Sequence, residues 1–98
     1  MNKIQGIKLV TGEELVAKVK IDNGCVFVTD PLVLMVGKGP NGLVVNFMPW
    51  TIIAEGAIQL EAHGIVARYS VPKEVEDNYI QNTTGLQIVS ATPQILQG

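Results

Sequence analysis

A strict alternation of apolar and polar side chains over residues 14–22 most constrains the fold of this chain. The apolar positions recur at every second residue: Leu15, Ala17, Val19 and Ile21. The positions between them are mostly charged: Glu14, Val16, Lys18, Lys20 and Asp22. A period of two places each set on its own face of an extended chain, as in an antiparallel strand with one buried face. The Asn23-Gly24 pair that follows favours a type I′ turn, so the sequence predicts a β-hairpin here.

Further short strands are predicted on both sides of this segment. Ile7 and Leu9 belong to a preceding strand, and Gly12 allows the turn between the two because glycine tolerates a positive φ. A long apolar run over residues 26–36 is interrupted by Asp30-Pro31. Proline donates no hydrogen bond to a sheet, so this dipeptide predicts a bend or an edge position. A bend in a long strand is what closure of a small barrel requires.

The second half of the chain continues the strand pattern and then changes its period. A glycine-rich loop over residues 37–42 precedes strands that we expect near residues 43–47, 58–62 and 65–69. Pro72-Lys73-Glu74 is typical of a helix start, since proline fits the first turn and an acid suits the positive end of the helix dipole. Gly85 predicts the end of that helix.

These elements predict one mainly β domain over residues 1–98. Its parts are an antiparallel barrel over about residues 3–71, a helix over about 72–84 and a tail over 86–98 that packs on a neighbour or frays.

Composition indicates a soluble chain that associates with copies of itself. Hydrophobic residues make up 47% of the chain, and charged residues make up 16%, against roughly 25% in an average soluble domain. The excess apolar surface favours burial between subunits. The net charge of −2 argues against a general binder of duplex DNA. With no secretory signal and no apolar run of ~18 residues, we expect a cytoplasmic protein.

The opening hairpin resembles the first sequence motif of the Sm and Sm-like (LSm) proteins. The matching positions are Leu9, Gly12, Leu15, Ala17, Val19 and Asp22, with Ala17 standing where the family usually has a second glycine. Residues 26–30 resemble the third strand of that family. The overall layout, with Phe47-Met48-Pro49-Trp50 in mid-chain and a helix ending near Thr84-Gly85, is similar to small Sm-like proteins of T4-like cyanophages and other phages.

The resemblance implies both a fold and an assembly. The fold is a small, strongly bent, five-stranded antiparallel Sm-like (SH3-type) barrel, here with a C-terminal helix. Copies would join edge to edge into a homo-oligomeric ring of five to seven subunits that binds single-stranded RNA around its pore. A phage origin would place the protein in the host cell cytoplasm.

The family has two base-reading motifs, and this sequence offers candidate residues for each. Asn23 is the nearest substitute for the asparagine that reads a base, although it is shifted along the chain. For the Arg-Gly motif, Ala67-Arg68-Tyr69 supplies the arginine, and His63-Gly64 supplies the glycine. Arg68 and Tyr69 offer a cation and a stacking plane to an unstacked base. The alternative for Arg68 is an ion pair with Glu61 or with an acid of another subunit.

Other candidates have both a structural and a nucleic-acid interpretation. Lys18 and Lys20 would follow a phosphate backbone, or they are solvated lysines beside Glu14 and Asp22. Lys38, in the glycine-rich loop, adds a further cation. Phe47 and Trp50 have three possible roles: packing in the core, packing at a subunit interface, or stacking on bases. The sequence does not choose among these interpretations.

The sequence predicts no catalytic chemistry. Cys25 and His63 are the single cysteine and histidine, so neither a disulfide, a cysteine zinc site nor a nucleophile–base pair is expected. We expect no cofactor and no metal. The predicted function is non-catalytic binding of single-stranded RNA, or of single-stranded DNA, in phage RNA or DNA processing or regulation. The alternative is an oligomeric ring that acts as a protein-interaction or scaffolding module without nucleic acid, which the acidic pI of about 5.2 favours.

Overall fold

Six antiparallel strands and one C-terminal helix form the described part of the chain. The structure, a computed structural model, describes residues 3–90. The elements in chain order are β1 Lys3–Leu9, β2 Glu14–Asp22, β3 Cys25–Gly39, β4 Gly42–Pro49, β5 Ile58–Leu60, a 3₁₀ turn Ala62–Gly64, β6 Ile65–Ser70 and α1 Lys73–Ser90. The prediction of a mainly β, antiparallel fold with a C-terminal helix is confirmed.

The strands make one open sheet. Five of them follow the order β4-β3-β2-β1-β6, and the short β5 pairs separately with β3. The described strands β4 and β6 lie at the two ends of this order and do not pair with each other, so the sheet is not closed. The predicted number of five strands describes the continuous order, and β5 is a sixth strand outside it.

The turn between β2 and β3 has the predicted geometry. Asp22 pairs with Cys25, which leaves a two-residue connection. Asn23 has φ of 52° and Gly24 has φ of 79°. Two successive positive φ values define a type I′ turn, whose twist matches that of the strands it joins. The predicted hairpin is therefore confirmed.

Strand β3 bends where the sequence predicts it. Asp30 has φ of 52°, a left-handed conformation that is uncommon outside glycine. The first half of β3 pairs with β2 and β5, and its second half pairs with β4 over the register Leu32↔Pro49 to Gly39↔Gly42. The predicted loop over residues 37–42 is shorter than expected, because both strands continue to a two-residue turn at Pro40-Asn41.

One face of the sheet carries the larger core. Its buried members come from β1, β2, β3 and β5: Ile7, Leu9, Leu15, Ala17, Val19, Val28 and Leu60. The alternating set of β2 supplies three of these residues, as the period of two predicts. Ile21, the fourth member, is exposed because it lies at the turn end of the strand.

The opposite face carries a smaller core that the helix covers. Val16, Leu32 and Tyr79 are buried together, with Val75 packed against them. The prediction that placed Val16 on the solvent-facing side of β2 is wrong, since α1 lies over that face at this point. The Tyr79 hydroxyl donates to the backbone carbonyl of Asp30 at 2.7 Å.

The helix extends beyond its predicted end. It begins at Lys73, close to the predicted start, but it continues through Gly85 to Ser90. A glycine inside a helix costs about 1 kcal/mol relative to alanine and does not by itself end the helix. Residues 86–90 of the predicted tail are thus helical, and residues 91–98 lie outside the described part of the chain. Over residues 3–90, no helix has the length and apolarity to cross a bilayer.

Candidate nucleic-acid interface

The seven predicted contact residues separate into three groups. The first lies on the helix-covered face of the sheet and contains Lys18, Lys20 and Tyr69. The second lies at the end of the sheet near the β2–β3 turn and contains Asn23, His63 and Arg68. The third is Lys38 alone, next to the β3–β4 turn.

Arg68 of the second group lines a cleft, and Asn23 and His63 are next in sequence to residues of its lining. It has a volume of about 410 Å³, and we call it the turn cleft. Its lining comes from the β2–β3 turn, from β5 and the 3₁₀ turn, and from β6: Gly24, Cys25, Val26, Gln59, Leu60, Glu61, Ala62, Ile65 and Arg68. Asn23 directly precedes Gly24, and His63 directly follows Ala62, so both predicted residues adjoin the lining. Segments far apart in sequence therefore meet at one site.

Arg68 is the cation of the turn cleft. It is exposed, and it pairs in register with the buried Ile7 of β1. Its Nη1 donates to Oε1 of Gln5 at 3.4 Å, a long and therefore weak hydrogen bond. Among the described residues it forms no ion pair, and the predicted pairing with Glu61 is not observed. Most of its guanidinium donors are thus available to a ligand.

The remaining lining of the turn cleft combines apolar surface with two polar side chains. Val26, Leu60 and Ile65 form apolar walls, and Cys25 is half-buried beside them. Gln59 and Glu61 add amide and carboxylate groups. A planar, apolar-faced group with polar edges, such as a nucleobase, suits this mixture. Gln59 is not among the predicted contact residues, because its position in an alternating strand carries no signal that separates it from a solvated residue.

The lysines of the first group have acidic neighbours. Nζ of Lys18 lies 3.3 Å from Oδ2 of Asp30, with both side chains partly exposed. Lys20 is exposed, and it shares a shallow cleft with Asp22 and Phe27. The alternation of cations and acids on this face offers a weaker attraction to phosphates than two free lysines would.

The side chain of Tyr69 packs and hydrogen-bonds against neighbouring strands of the sheet. Its hydroxyl donates to Oε2 of Glu14 at 2.5 Å, a short charge-assisted hydrogen bond. Partial burial, together with the Glu14 hydrogen bond and charge, raises the pKa of Tyr69 to about 12. Its ring lies so close over Gly6 that a Cβ at that position would overlap it. These contacts hold the ring against β1.

The aromatic residues of mid-chain also lie in packing positions. Phe47 is half-buried against the helix-side core, and Trp50 is half-buried against the larger core. The backbone N–H of Trp50 donates to the carbonyl of Pro31 at 3.1 Å. The structure therefore supports the packing interpretation of both side chains. Lys38 is exposed near the tip of the β3–β4 hairpin, and its strand neighbour opposite is Leu43.

No group of three or more histidine, cysteine, aspartate or glutamate side chains in the described residues 3–90 is arranged to hold a metal ion. In comparisons with known proteins, no family model matches this chain. A search of curated proteins likewise returns no match.

Proposed function

We propose that this chain is a non-catalytic, Sm-like ring protein that binds single-stranded RNA at the turn cleft. The observation that carries the proposal is the meeting of the β2–β3 turn with the 3₁₀ turn and β6, beside the single arginine of the chain. The resemblance of residues 9–22 to the first Sm motif supplies the family expectation.

The barrel interpretation is supported by the shape of β3. Before the Asp30 bend this strand pairs with β2 and β5, and after the bend it gains β4 as a partner while Leu32 and Val33 still pair with β2. The short connection from β5 through the 3₁₀ turn then returns the chain to β1 as β6. A sheet that curls in this way approaches the form of a small, strongly bent SH3-type barrel.

The ring interpretation is supported by the two ends of the sheet. β4 and β6 each have one neighbour in the described sheet, so each presents backbone donors and acceptors along its free edge. Pairing of one copy's β4 with the next copy's β6 would satisfy both edges, and a closed ring would leave none. The exposed apolar side chains Leu43, Val44 and Met48 of β4 would be covered in the same step.

The ligand interpretation is supported by the chemistry of the turn cleft. The Arg68 guanidinium provides a cation and a flat stacking surface for an unstacked base. The Glu61 carboxylate accepts hydrogen bonds from the exocyclic amino groups of adenine, cytosine or guanine, and uracil lacks such a group. We therefore expect the site to favour adenine over uracil.

Fluorescence anisotropy with labelled oligo-A and oligo-U RNA, and with oligo-dA, tests the proposal. We expect micromolar or tighter binding of oligo-A, weaker binding of oligo-U, and loss of the difference in Glu61→Ala, which removes the hydrogen-bond acceptor. Failure of all three oligonucleotides to bind at low salt would end the nucleic-acid proposal. Binding of oligo-dA as tight as oligo-A would extend it to single-stranded DNA.

The alternative function is a protein-interaction ring without nucleic acid. The acidic neighbours of Lys18 and Lys20 and the net charge of −2 favour it. A pull-down from host lysate that recovers a defined protein and no RNA, combined with negative anisotropy results, would select this alternative.

A further inference from the structure

Strand β3 carries an extra residue at its bend. Where its pairing with β2 is interrupted, two residues of β3, Asp30 and Pro31, lie opposite a single residue of β2. This arrangement is a β-bulge, and Asp30 within it has the left-handed φ of 52°. Bulges and residues with unusual backbone angles are frequent beside functional sites, where they re-aim a side chain. The bend thus has a backbone geometry that is typical of a binding site.

A cavity of about 320 Å³ adjoins this bend, and we call it the bend cavity. Three parts of the chain border it: the bend of β3, the end of β4 with the connection to β5, and the helix. Leu32, Pro49 and Ile58 give it apolar walls. Its volume is roughly twice that of a known ~150 Å³ cavity that binds benzene. One ring with a short side chain therefore fits the bend cavity.

The charge of the bend cavity is negative. Among the described residues of its lining, Asp30 alone is charged. Oδ2 of Asp30 lies 3.3 Å from Nζ of Lys18, but Lys18 does not belong to the lining. Both side chains are partly exposed, so this ion pair is weak. No described residue donates to the second carboxylate oxygen, which therefore keeps its capacity to accept a hydrogen bond.

The polar groups of the bend cavity are mainly hydrogen-bond acceptors. The hydroxyl of Thr83 donates to the carbonyl of Tyr79 at 3.0 Å. A hydroxyl has one proton, so the Thr83 oxygen can only accept a further hydrogen bond, as the Asp30 carboxylate does. The hydroxyls of Thr29 and Thr51, which also line the cavity, can donate or accept. The lining therefore favours a ligand that brings donors.

Hydrogen bonds hold this lining in a defined shape. The Tyr79 hydroxyl donates to the carbonyls of Asp30 at 2.7 Å and of Thr29 at 3.2 Å. The backbone N–H of Trp50 donates to the carbonyl of Pro31 at 3.1 Å. These bonds tie the bend to the helix and to the chain that leaves β4. A preformed site loses little conformational entropy when a ligand enters it.

We propose that the bend cavity binds a small organic amine, with its protonated amino group beside the Asp30 carboxylate and its apolar body against Leu32 and Ile58. An ammonium group has three N–H donors and no acceptor, which matches the acceptors of the lining. Its positive charge complements the single charge of that lining. The inference does not depend on the nucleic-acid site, because the bend cavity and the turn cleft share no lining residue.

The first test compares three probes that share a phenyl ring and differ in charge: phenethylamine, phenethyl alcohol and phenylacetate. Amide shifts in NMR spectra of the full chain report binding. We expect a Kd of about 1 mM or tighter for the amine, binding at least ~5-fold weaker for the alcohol, and none for the acid. The shifts should concentrate at Thr51, Ile58 and Thr83. Absence of shifts at these residues, or an amine that binds no more tightly than the alcohol, would overturn the proposal.

The second test removes the charge of Asp30. Asn keeps the size of the side chain and tolerates the left-handed conformation, so Asp30→Asn should fold as the wild type does. We expect its affinity for phenethylamine to fall by about 5- to 30-fold, and its affinity for phenethyl alcohol to stay unchanged. Asp77→Asn is the matched control, because Asp77 also lies 3.3 Å from a lysine Nζ and is not in the lining. Equal amine affinities of the two variants would overturn the proposal.

The third test removes the cation that competes for Asp30. Lys18→Met should tighten the binding of phenethylamine by about 1.5- to 5-fold, the range expected for a partly exposed ion pair. Unchanged or weaker binding would show that Asp30 is not the contact. Oligo-A anisotropy separates these results from the nucleic-acid proposal, since Asp30→Asn should not weaken oligo-A binding. Loss of amine binding with intact oligo-A binding assigns Asp30 to the bend cavity alone.

Discussion

At the residue scale, the chemistry of the proposed site depends on how few partners Arg68 has among the described residues. The register of β6 against β1 places it opposite Ile7. Its one described hydrogen bond, to Gln5, is 3.4 Å long. An exposed arginine that is so weakly held retains its capacity to bind a planar, electron-rich group.

Substitution of Arg68 should weaken oligonucleotide binding more than the loss of one positive charge explains. Base stacking and charged hydrogen bonds contribute about 1–3 kcal/mol per base, so we expect Arg68→Ala to weaken oligo-A binding by roughly 5- to 150-fold. Arg68→Lys should recover part of the affinity through charge alone. Lys73→Ala removes a cation from an exposed helix pair and should change the affinity less than twofold. Equal effects of Arg68→Ala and Lys73→Ala in anisotropy titrations would contradict a specific contact.

Tyr69 should make the stability of the protein sensitive to alkaline pH. In the unfolded chain its hydroxyl ionises near the ordinary value of 10.0, and in the folded protein its pKa is about 12. The unfolded state therefore loses this proton first, so the free energy of unfolding falls as the pH rises from 10 to 12. Below pH 10 the contribution is fully present. Urea unfolding at a series of pH values should show a steeper fall for the wild type than for Tyr69→Phe, and parallel curves would refute this assignment.

At the element scale, local chemistry decides the strands and their turns, while tertiary packing decides which faces are covered. The period of two and the Asn23-Gly24 pair are sufficient to predict the central hairpin. The burial of Val16 is not predictable from β2, because it depends on a helix that begins more than fifty residues later in the sequence. For the same reason the sequence offers Arg68 as a candidate contact residue but does not predict the cleft that it lines. Asn23, His63 and Arg68 were selected by resemblance, whereas Gln59 reaches the cleft through the pairing of β5 with β3.

The β2–β3 hairpin should depend on glycine at its second turn position. Gly24 has φ of 79°, and nothing lies within 4 Å of an added Cβ, so the cost of alanine there is conformational and not steric. We expect Gly24→Ala to lower the free energy of unfolding by about 1–2 kcal/mol. Gly37→Ala is the matched control, since its surroundings are equally open and its φ lies outside the left-handed range. Equal stabilities of the two variants in urea would mean that the turn relaxes to another type.

The helix should depend on Tyr79 for its attachment to the sheet. This side chain is fully buried, and its hydroxyl bonds to the carbonyl of Asp30 at the bend of β3. Burial and the nearby Asp30 charge also raise the pKa of Tyr79, so its hydroxyl keeps its proton well above neutral pH.

We expect Tyr79→Phe to cost about 1 kcal/mol for the lost hydrogen bond, and Tyr79→Ala about 3–5 kcal/mol for the cavity as well. Ile80→Ala, one residue along on the exposed side, should cost less than about 1 kcal/mol. Urea unfolding supplies the values. If Tyr79→Ala cost no more than Ile80→Ala, the helix would not be anchored as the structure indicates.

At the scale of the whole molecule, residues 3–90 present two kinds of surface that lack a partner within this part of the chain. The free edges of β4 and β6 present backbone hydrogen-bonding groups, and the surface from Met35 to Ile53 presents apolar side chains with a single lysine. In the proposed assembly, other copies of the chain cover such surfaces through contacts that involve few charges. The proposed nucleic-acid site is different, because its ligand is a polyanion and Arg68 is its cation.

Salt should therefore separate assembly from nucleic-acid binding. Hydrophobic contacts and backbone pairing are little screened by ions, whereas each phosphate contact on a single strand lowers the logarithm of the binding constant by about 0.7 per tenfold rise in salt. We expect the mass from light scattering to stay constant between low and moderate salt, while the affinity for oligo-A falls with a slope of about −1 to −3. Arg68→Ala should reduce that slope by less than 1, because part of its contribution is stacking. A mass that fell in parallel with the affinity would show that charge holds the assembly together, and the apolar and edge contacts would then not be its cause.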